Sequence, residues 1–269
     1  MSVGSGAPSQ KQGFWGSQTP TAVILLVIAA VAAWYFAAGS MSTSVQGTPA
    51  VGVANGFVLV VVGFVAGLLG GLIGTGGCSV MLPAIHFWMG YPAAVAVGTT
   101  LFAVIFTATS GAYGHLMRRN LDVRAVAWLG LGGVVGVVLG SWLFTLLASQ
   151  SALLGLILGL IFLWPAWGGG YALVPGLIYL FGAPVYITMS SSLATMIPLA
   201  VVGGGIKLGQ GFVELGAGLL LGGGAVVGAQ VGAAIIKRFK PATLKLLFGL
   251  YFLYVAVKFV GAYFGIAIW

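Results

Sequence analysis

The sequence predicts an all-α integral membrane protein built from two copies of one helical unit, each interrupted by a run of glycines. Three observations predict it. Sixty per cent of the 269 residues are hydrophobic and only 4% are charged, whereas a soluble domain carries roughly 25% charged residues. Apolar runs recur along the chain at close to the ~20 residues a helix needs to span hydrocarbon. A glycine-rich break, Gly70-Gly71-Leu72-Ile73-Gly74-Thr75-Gly76-Gly77-Cys78 closed by Pro83, returns as Trp164-Pro165-Ala166-Trp167-Gly168-Gly169-Gly170 closed by Pro175, an offset of 92 (175 − 83).

Composition also excludes. The net charge of +8 does not point to nucleic acid, because its carriers sit at segment ends, where the positive-inside rule places them. With 46 glycines and no three-residue period the chain is not collagen-like; glycine instead suits close helix packing in lipid. A single cysteine, Cys78, forbids an intramolecular disulfide and any multi-cysteine metal site. No metal or cofactor is expected.

In order along the chain, residues 1–20 are a polar Gly/Ser-rich tail. Residues 21–38 form an extra N-terminal helix; Phe36-Ala37-Ala38-Gly39-Ser40 loosely resembles a signal cleavage site, but the apolar core is longer than a signal's and only Lys11 charges its flank. After a polar loop with Pro49, helices are expected at about 52–73, 77–89 (short), 93–114 and 125–147. Gly90-Tyr91-Pro92 separates the second from the third, and Leu116 to Arg124 is a water-facing loop. The second half repeats this without a gap. Gly76, Gly77, Pro83, Gly90, Pro92, Gly111 and Gly136 match Gly168, Gly169, Pro175, Gly182, Pro184, Gly203 and Gly228, while His115 falls on Lys207 and Asp122 on Glu214. The repeats are therefore 52–147 and 148–239, with a final membrane helix over 246–266. Charge orients them. If the repeats are inverted, the basic stretches 115–124 and 237–245 face one side, the cytoplasm. Inversion needs an odd number of crossings per repeat, so one helix beside each break is broken or re-entrant. That gives about eight net crossings.

Irregular backbone at membrane depth is tolerated only where protein or a water-filled cavity surrounds it, so the breaks line something. Unpaired N–H groups at a helix start favour an anion. The expected substrate site is Gly76, Gly77 and Cys78 at the first break, Gly169, Gly170 and Tyr171 at the second, and the matched hydroxyls Thr99, Thr100, Ser191 and Ser192. The plainer alternatives are glycines that only permit packing and hydroxyls bonded back to their own helix. His86, His115, Trp167 and Lys207 are candidates for gating or proton handling; for Lys207, snorkelling to the interface is the plainer role. Asp122 and Glu214, the only carboxylates, fall in loops. No catalytic set is present and the chain is not read as an enzyme.

Gly74-Thr75-Gly76-Gly77-Cys78 through Pro83, followed by Ala96-Val97-Gly98-Thr99-Thr100-Leu101 and by a small-residue helix after an Asp loop, resembles the TauE/SafE family over about 52–265. Cys78 stands where that family usually has another glycine. The resemblance implies a plasma-membrane exporter of sulfite, sulfoacetate or a related organosulfonate, its partners being a small anion and the lipid bilayer. Transport of another small anion, a channel, and uptake rather than export are the alternatives, with a membrane scaffold that carries nothing further behind. With no carboxylate inside a predicted helix, export is expected to run as uniport on the membrane potential, worth ~2.3 kcal/mol per charge per 100 mV.

Overall fold

A computed structural model describes residues 19–37, 45, 47–117, 122–168, 185–235 and 241–265. The second break from Gly169 on, including Gly170, Tyr171 and Pro175, lies outside them, as do most of the tail and the basic residues Arg118, Arg119, Lys237, Arg238 and Lys240. All the regular structure described is helical: α1 Thr19–Ala37, α2 Val53–Ile73, α3 Cys78–Pro83 with a π-helical continuation Ala84–Trp88, α4 Ala93–Leu116, α5 Val123–Leu147, α6 Ser151–Gly168, α7 Val185–Gly209, α8 Leu215–Ile235 and α9 Pro241–Tyr263. Five of them, α2, α4, α5, α7 and α8, are long and apolar enough to cross a membrane. Helices α7 and α8 begin 92 residues after α4 and α5 (185 − 93 and 215 − 123).

The centre of the molecule is the crossing of α4 with α7. Its apolar cluster holds Val104, Ile105 and Ala108 from α4 with Met196, Ile197 and Ala200 from α7, three pairs that are each 92 apart. Around it the contacts are reciprocal. The Leu193 side chain fits against Gly111, and Leu101 fits against Gly203, where an added Cβ would lie 2.8 Å from its Cδ2. The start of each helix thus meets the end of the other, and the two run antiparallel. Two hydrogen bonds repeat the exchange: Glu214 N–H donates to Thr99 Oγ1 (2.9 Å) and Asp122 N–H donates to Ser191 Oγ (3.1 Å). They fasten the start of α8 to α4 and the start of α5 to α7.

Beside this core, α2 lies parallel to α8 along a glycine seam. Gly63 and Gly67 meet the Leu221 and Ala225 carbonyls, and at Gly71 a Cβ would stand 2.5 Å from the Ala229 oxygen. In return Gly224, Gly228 and Gly232 meet the carbonyls of Val60, Phe64 and Leu68. In lipid no hydrophobic drive brings helices together, so such seams rely on close van der Waals contact, which only a missing side chain permits. Helix α6 rests on α9, where Gly159 approaches Phe259 and Val260.

At Gly74 the chain turns back on itself. Gly74 is left-handed (φ 81°) and returns its N–H to the Gly70 carbonyl, closing α2, as glycine does after a helix end. Gly77 then packs on Ala66 and Gly70, so α3 runs back beside α2. Pro83, having no N–H to give, sits where the helix loosens into its π turn. Leu59, Ile85, Tyr91 and Val95 share one cluster, which sets the start of α2, the end of the returning arm and the start of α4 at the same end of the bundle. The returning arm is the re-entrant one. The two together bring the chain back to the end it left, where the sequence analysis expected them to make one crossing.

Candidate functional site

The first break is buried and mid-depth. Gly76 faces Met196 Sδ and Val104, with an added Cβ 2.7 and 3.1 Å away. Those two residues are themselves 92 apart and sit near the middle of α7 and α4. Gly76 and Gly77 both have left-handed backbones (φ 69° and 80°), a conformation that costs side-chain-bearing residues about 1–2 kcal/mol each. Among the described residues no backbone carbonyl accepts the N–H of Thr75, Gly76 or Gly77. Successive free peptide N–H groups in such turns form a nest for anions.

The break's carbonyls are held from outside. His115 Nε2 lies 3.2 Å from the Gly71 oxygen, so that nitrogen carries the proton and donates it, satisfying one of the carbonyls a helix end leaves without a partner. Ser192 Oγ donates to the Gly74 oxygen at 3.1 Å. Cys78 is half-buried, its Sγ 4.0 Å from the Thr75 oxygen. One turn ahead of Ser191 and Ser192, Thr188 is fully buried and its hydroxyl has no hydrogen-bond partner among the described residues. Thr188 is not among the residues expected from the sequence; its place three residues before Ser191, on the same helix face, was the available signal.

The other expected residues are dispersed. Ser192 is at the break, but Ser191 is given to Asp122, and Thr99 sits at the far end of α4 with Glu214. Thr100 bonds back to the Ala96 and Val97 carbonyls (2.8 and 3.1 Å). His115, a candidate for gating or proton handling, is 1% exposed and buried against the end of α2. Lys207, its match, is also buried. Its ammonium donates to Gln210 Oε1 (2.9 Å) and more weakly to the Ser141 carbonyl (3.4 Å), and lies 3.8 Å from the Phe144 ring centroid, so it is held by protein instead of snorkelling to water. His86 pairs Nδ1 with the Tyr91 carbonyl (2.7 Å) and stacks on Phe259. Trp167 belongs to α6; Gly169, Gly170 and Tyr171 lie outside the described residues.

The residue that departs most from expectation is Glu214. Expected in a loop, it is 3% exposed. Burial lifts its carboxyl above the ordinary range against the pull of three N–H groups, those of Gly216, Ala217 and Leu215. Tyr91 beside it is pushed up to about 12, by burial first and by the charge of Glu214 second.

A multi-pass bundle with a glycine-lined break at its centre is the architecture of a membrane transporter. The family model described as sulfite exporter TauE/SafE matches residues 59–167 and 166–259, and the chain belongs to that family. It is 31% identical over 101 residues to the probable membrane transporter protein YunE of Bacillus subtilis, a match covering 35% of this chain and 37% of the relative. It is 22% identical over 228 residues to the probable membrane transporter protein YdhB of the same organism, covering 70% and 93%. To the probable membrane transporter protein MJ0441 of Methanocaldococcus jannaschii it is 34% identical over 83 residues, covering 29% and 31%. The chain thus spans about a third of YunE and of MJ0441 but nearly the whole of YdhB. No solved structure matches it.

Proposed function

We propose that this transporter exports a small sulfur oxyanion, sulfite, sulfoacetate or a related organosulfonate, from a site at the glycine breaks. The observation that carries the reading is the buried mid-depth turn whose Thr75, Gly76 and Gly77 N–H groups have no backbone acceptor among the described residues. Cys78, Ser192 and the Thr188 hydroxyl border it on this reading, and Gly169, Gly170 and Tyr171 contribute from the second half. Thr99 and Ser191 act as fasteners of the scaffold. The family description names sulfite and export, whereas the relatives' names give no substrate, and that favours keeping other small anions as the second reading.

The test is uptake of labelled sulfite, sulfoacetate, sulfate and chloride by proteoliposomes. Saturable sulfite or sulfoacetate flux that is lost in Gly77→Val is the expected result. Saturable flux of another anion alone would overturn the substrate, and flux that never saturates would indicate a channel. Release from preloaded vesicles of known orientation separates export from uptake.

On the same reading the α4–α5 and α7–α8 pairs of the repeats 52–147 and 148–239 are inverted about an axis in the membrane plane, with stretches 115–124 and 237–245 facing the cytoplasm from the plasma membrane; α2 and its returning arm, which make no net crossing, stand outside that symmetry. The antiparallel α4 and α7 and their reciprocal bonds support it. Impermeant thiol reagents should reach cysteines placed at Asn120 and Gly211 from opposite faces; labelling of both from one face would rule inversion out.

A further inference from the structure

Glu214 is one of two acidic residues in the chain, and anion binding at the break gives it no task. It is enclosed on every side that the structure describes. Its own N–H is bound to Thr99 of α4 (2.9 Å), its carbonyl takes the Gly218 N–H (2.9 Å), and the N–H groups of Leu215, Gly216 and Ala217 at the start of α8 favour its ionised form. From the turn between α3 and α4, Tyr91, 1% exposed, packs in one buried cluster with Ala217 in the first turn of α8, three residues on from Glu214, and the carboxylate's charge acts on its phenol. Helices α1 and α2 also pack on α8, and neither carries an Asp, Glu, His, Lys or Arg. Lys207, at the end of α7, directs its ammonium to Gln210 and Ser141. Among the described residues no cation pairs with Glu214. Its ionised form is held by dipoles alone in a site that disfavours charge.

Tyr91 connects this carboxylate to the break. Its N–H donates to the Ile85 carbonyl (3.0 Å) and its carbonyl meets His86 Nδ1, so Tyr91 anchors the far end of the arm whose near end is Gly76-Gly77. A proton on Glu214 removes the charge that those N–H dipoles favour and makes one carboxyl oxygen a donor. That changes what the carboxyl can hold at the α8 start and removes the charge facing Tyr91. A local change of charge beside a movable element is how such switches operate. Asp122, the match of Glu214, shows the contrast: it is exposed and caps α5 in contact with water.

We propose that Glu214 is the proton-binding residue of the transport cycle, its ionised form holding the Tyr91 turn against α4 and α8 and its protonation releasing that turn and, through α3, the glycine break. The proposal rests on the anion-transport reading and adds a proton to it, in place of uniport on the potential alone. In the orientation given above, Glu214 lies at the outer end of the bundle, where an inward proton gradient delivers its protons.

With two acidic side chains, the protein suits infrared titration in lipid. A carboxylic-acid stretch should grow in as pH falls, at pH values above those of an exposed carboxylate, be absent from Glu214→Gln and persist in Asp122→Asn. A band that survives Glu214→Gln, or that titrates no higher than an exposed carboxylate, would overturn the proposal without any substrate being present. Hydrogen exchange over residues 84–99, corrected for the intrinsic pH dependence, should be faster in Glu214→Gln than in the wild type at neutral pH and equal to it in acid; equal exchange at both pH values would also overturn it. Tyr91→Phe, which keeps the packing, should shift the titration and guards against a poorly folded glutamine variant. In proteoliposomes an imposed pH gradient should change labelled sulfite flux in the wild type and in Asp122→Asn but not in Glu214→Gln. An equal response in Glu214→Gln would remove the coupling. Absence of sulfite flux from the wild type would instead refute the substrate reading and leave the infrared and exchange results to decide the proton site.

Discussion

On α8, Gly224, Gly228 and Gly232 lie against the backbone of α2. On α5 the residues 92 positions earlier, Gly132, Gly136 and Gly140, have no described residue within 4 Å of where a Cβ would be. The capping acids differ in the same sense, Glu214 being buried and Asp122 exposed. Duplicated sequence has thus produced one half that encloses its glycines and its acid and one half that leaves both open. The cause is connectivity. Helix α2 runs parallel to α8 and can nest in its glycines, whereas α6 follows α5 through a short turn, must run back antiparallel, and settles on α9 instead.

The contrast is sharpest at Gly228 and Gly136. Gly228→Leu forces a side chain into the Phe64 carbonyl, which is backbone and cannot move aside; overpacking ordinarily costs about 1–3 kcal/mol, and a backbone clash should exceed that. Loss of folded protein on detergent size-exclusion is expected. Gly136→Leu, in open space, should stay within about 0.5 kcal/mol of the wild type, and an equal loss in both would end the comparison.

The two hydroxyl fasteners come next. Thr99→Val leaves the buried Glu214 N–H without its acceptor and should cost about 1–3 kcal/mol. Ser191→Ala frees the N–H of exposed Asp122, which water can take, and should cost about 1 kcal/mol or less. Thermal unfolding of the two variants in one detergent measures the difference; a larger cost for Ser191→Ala would reverse the ranking of the halves.

Acidity gives a third test. Folding raises the proton affinity of Glu214, so the folded state holds more protons there than the unfolded state as pH rises through the ordinary carboxylate range. Its contribution to stability is therefore greatest below that range and is lost as pH rises through the folded pKa. Melting temperature should fall with pH across that window in the wild type and stay flatter in Glu214→Gln. A steeper slope in the variant would mean the carboxylate is stabilised by its site. Asp122→Ala removes a cap that accepts Arg124 and Ala125 N–H at 3.0 and 3.1 Å and should cost about 0.5–2 kcal/mol in the same thermal unfolding assay.

Membrane class, helix positions and the first break were legible because they rest on local quantities: apolar run length, glycine and proline placement, and an offset that survives point by point. Helices α4, α5, α7 and α8 start within two residues of multiples of that pattern, and Gly74-Thr75-Gly76-Gly77 is a break in the structure as in the sequence. Thr99 and Ser191 were legible as a matched pair, though not as acceptors for the opposite acid's N–H, because that depends on which helix starts lie side by side.

By itself, then, the sequence determined that this is a helical membrane protein of repeated plan with an interrupted helix at its centre, since transfer free energy and backbone hydrogen bonding in lipid leave no other form for such a composition. Tertiary structure alone decided that α3 folds back along α2, that Lys207 and His115 are enclosed and bound to neighbouring helices, and that Glu214 is buried while Asp122 is not. Matched residues have the same chemistry in the sequence. Their burial is set by what packs over them, and that neighbour comes from elsewhere in the chain.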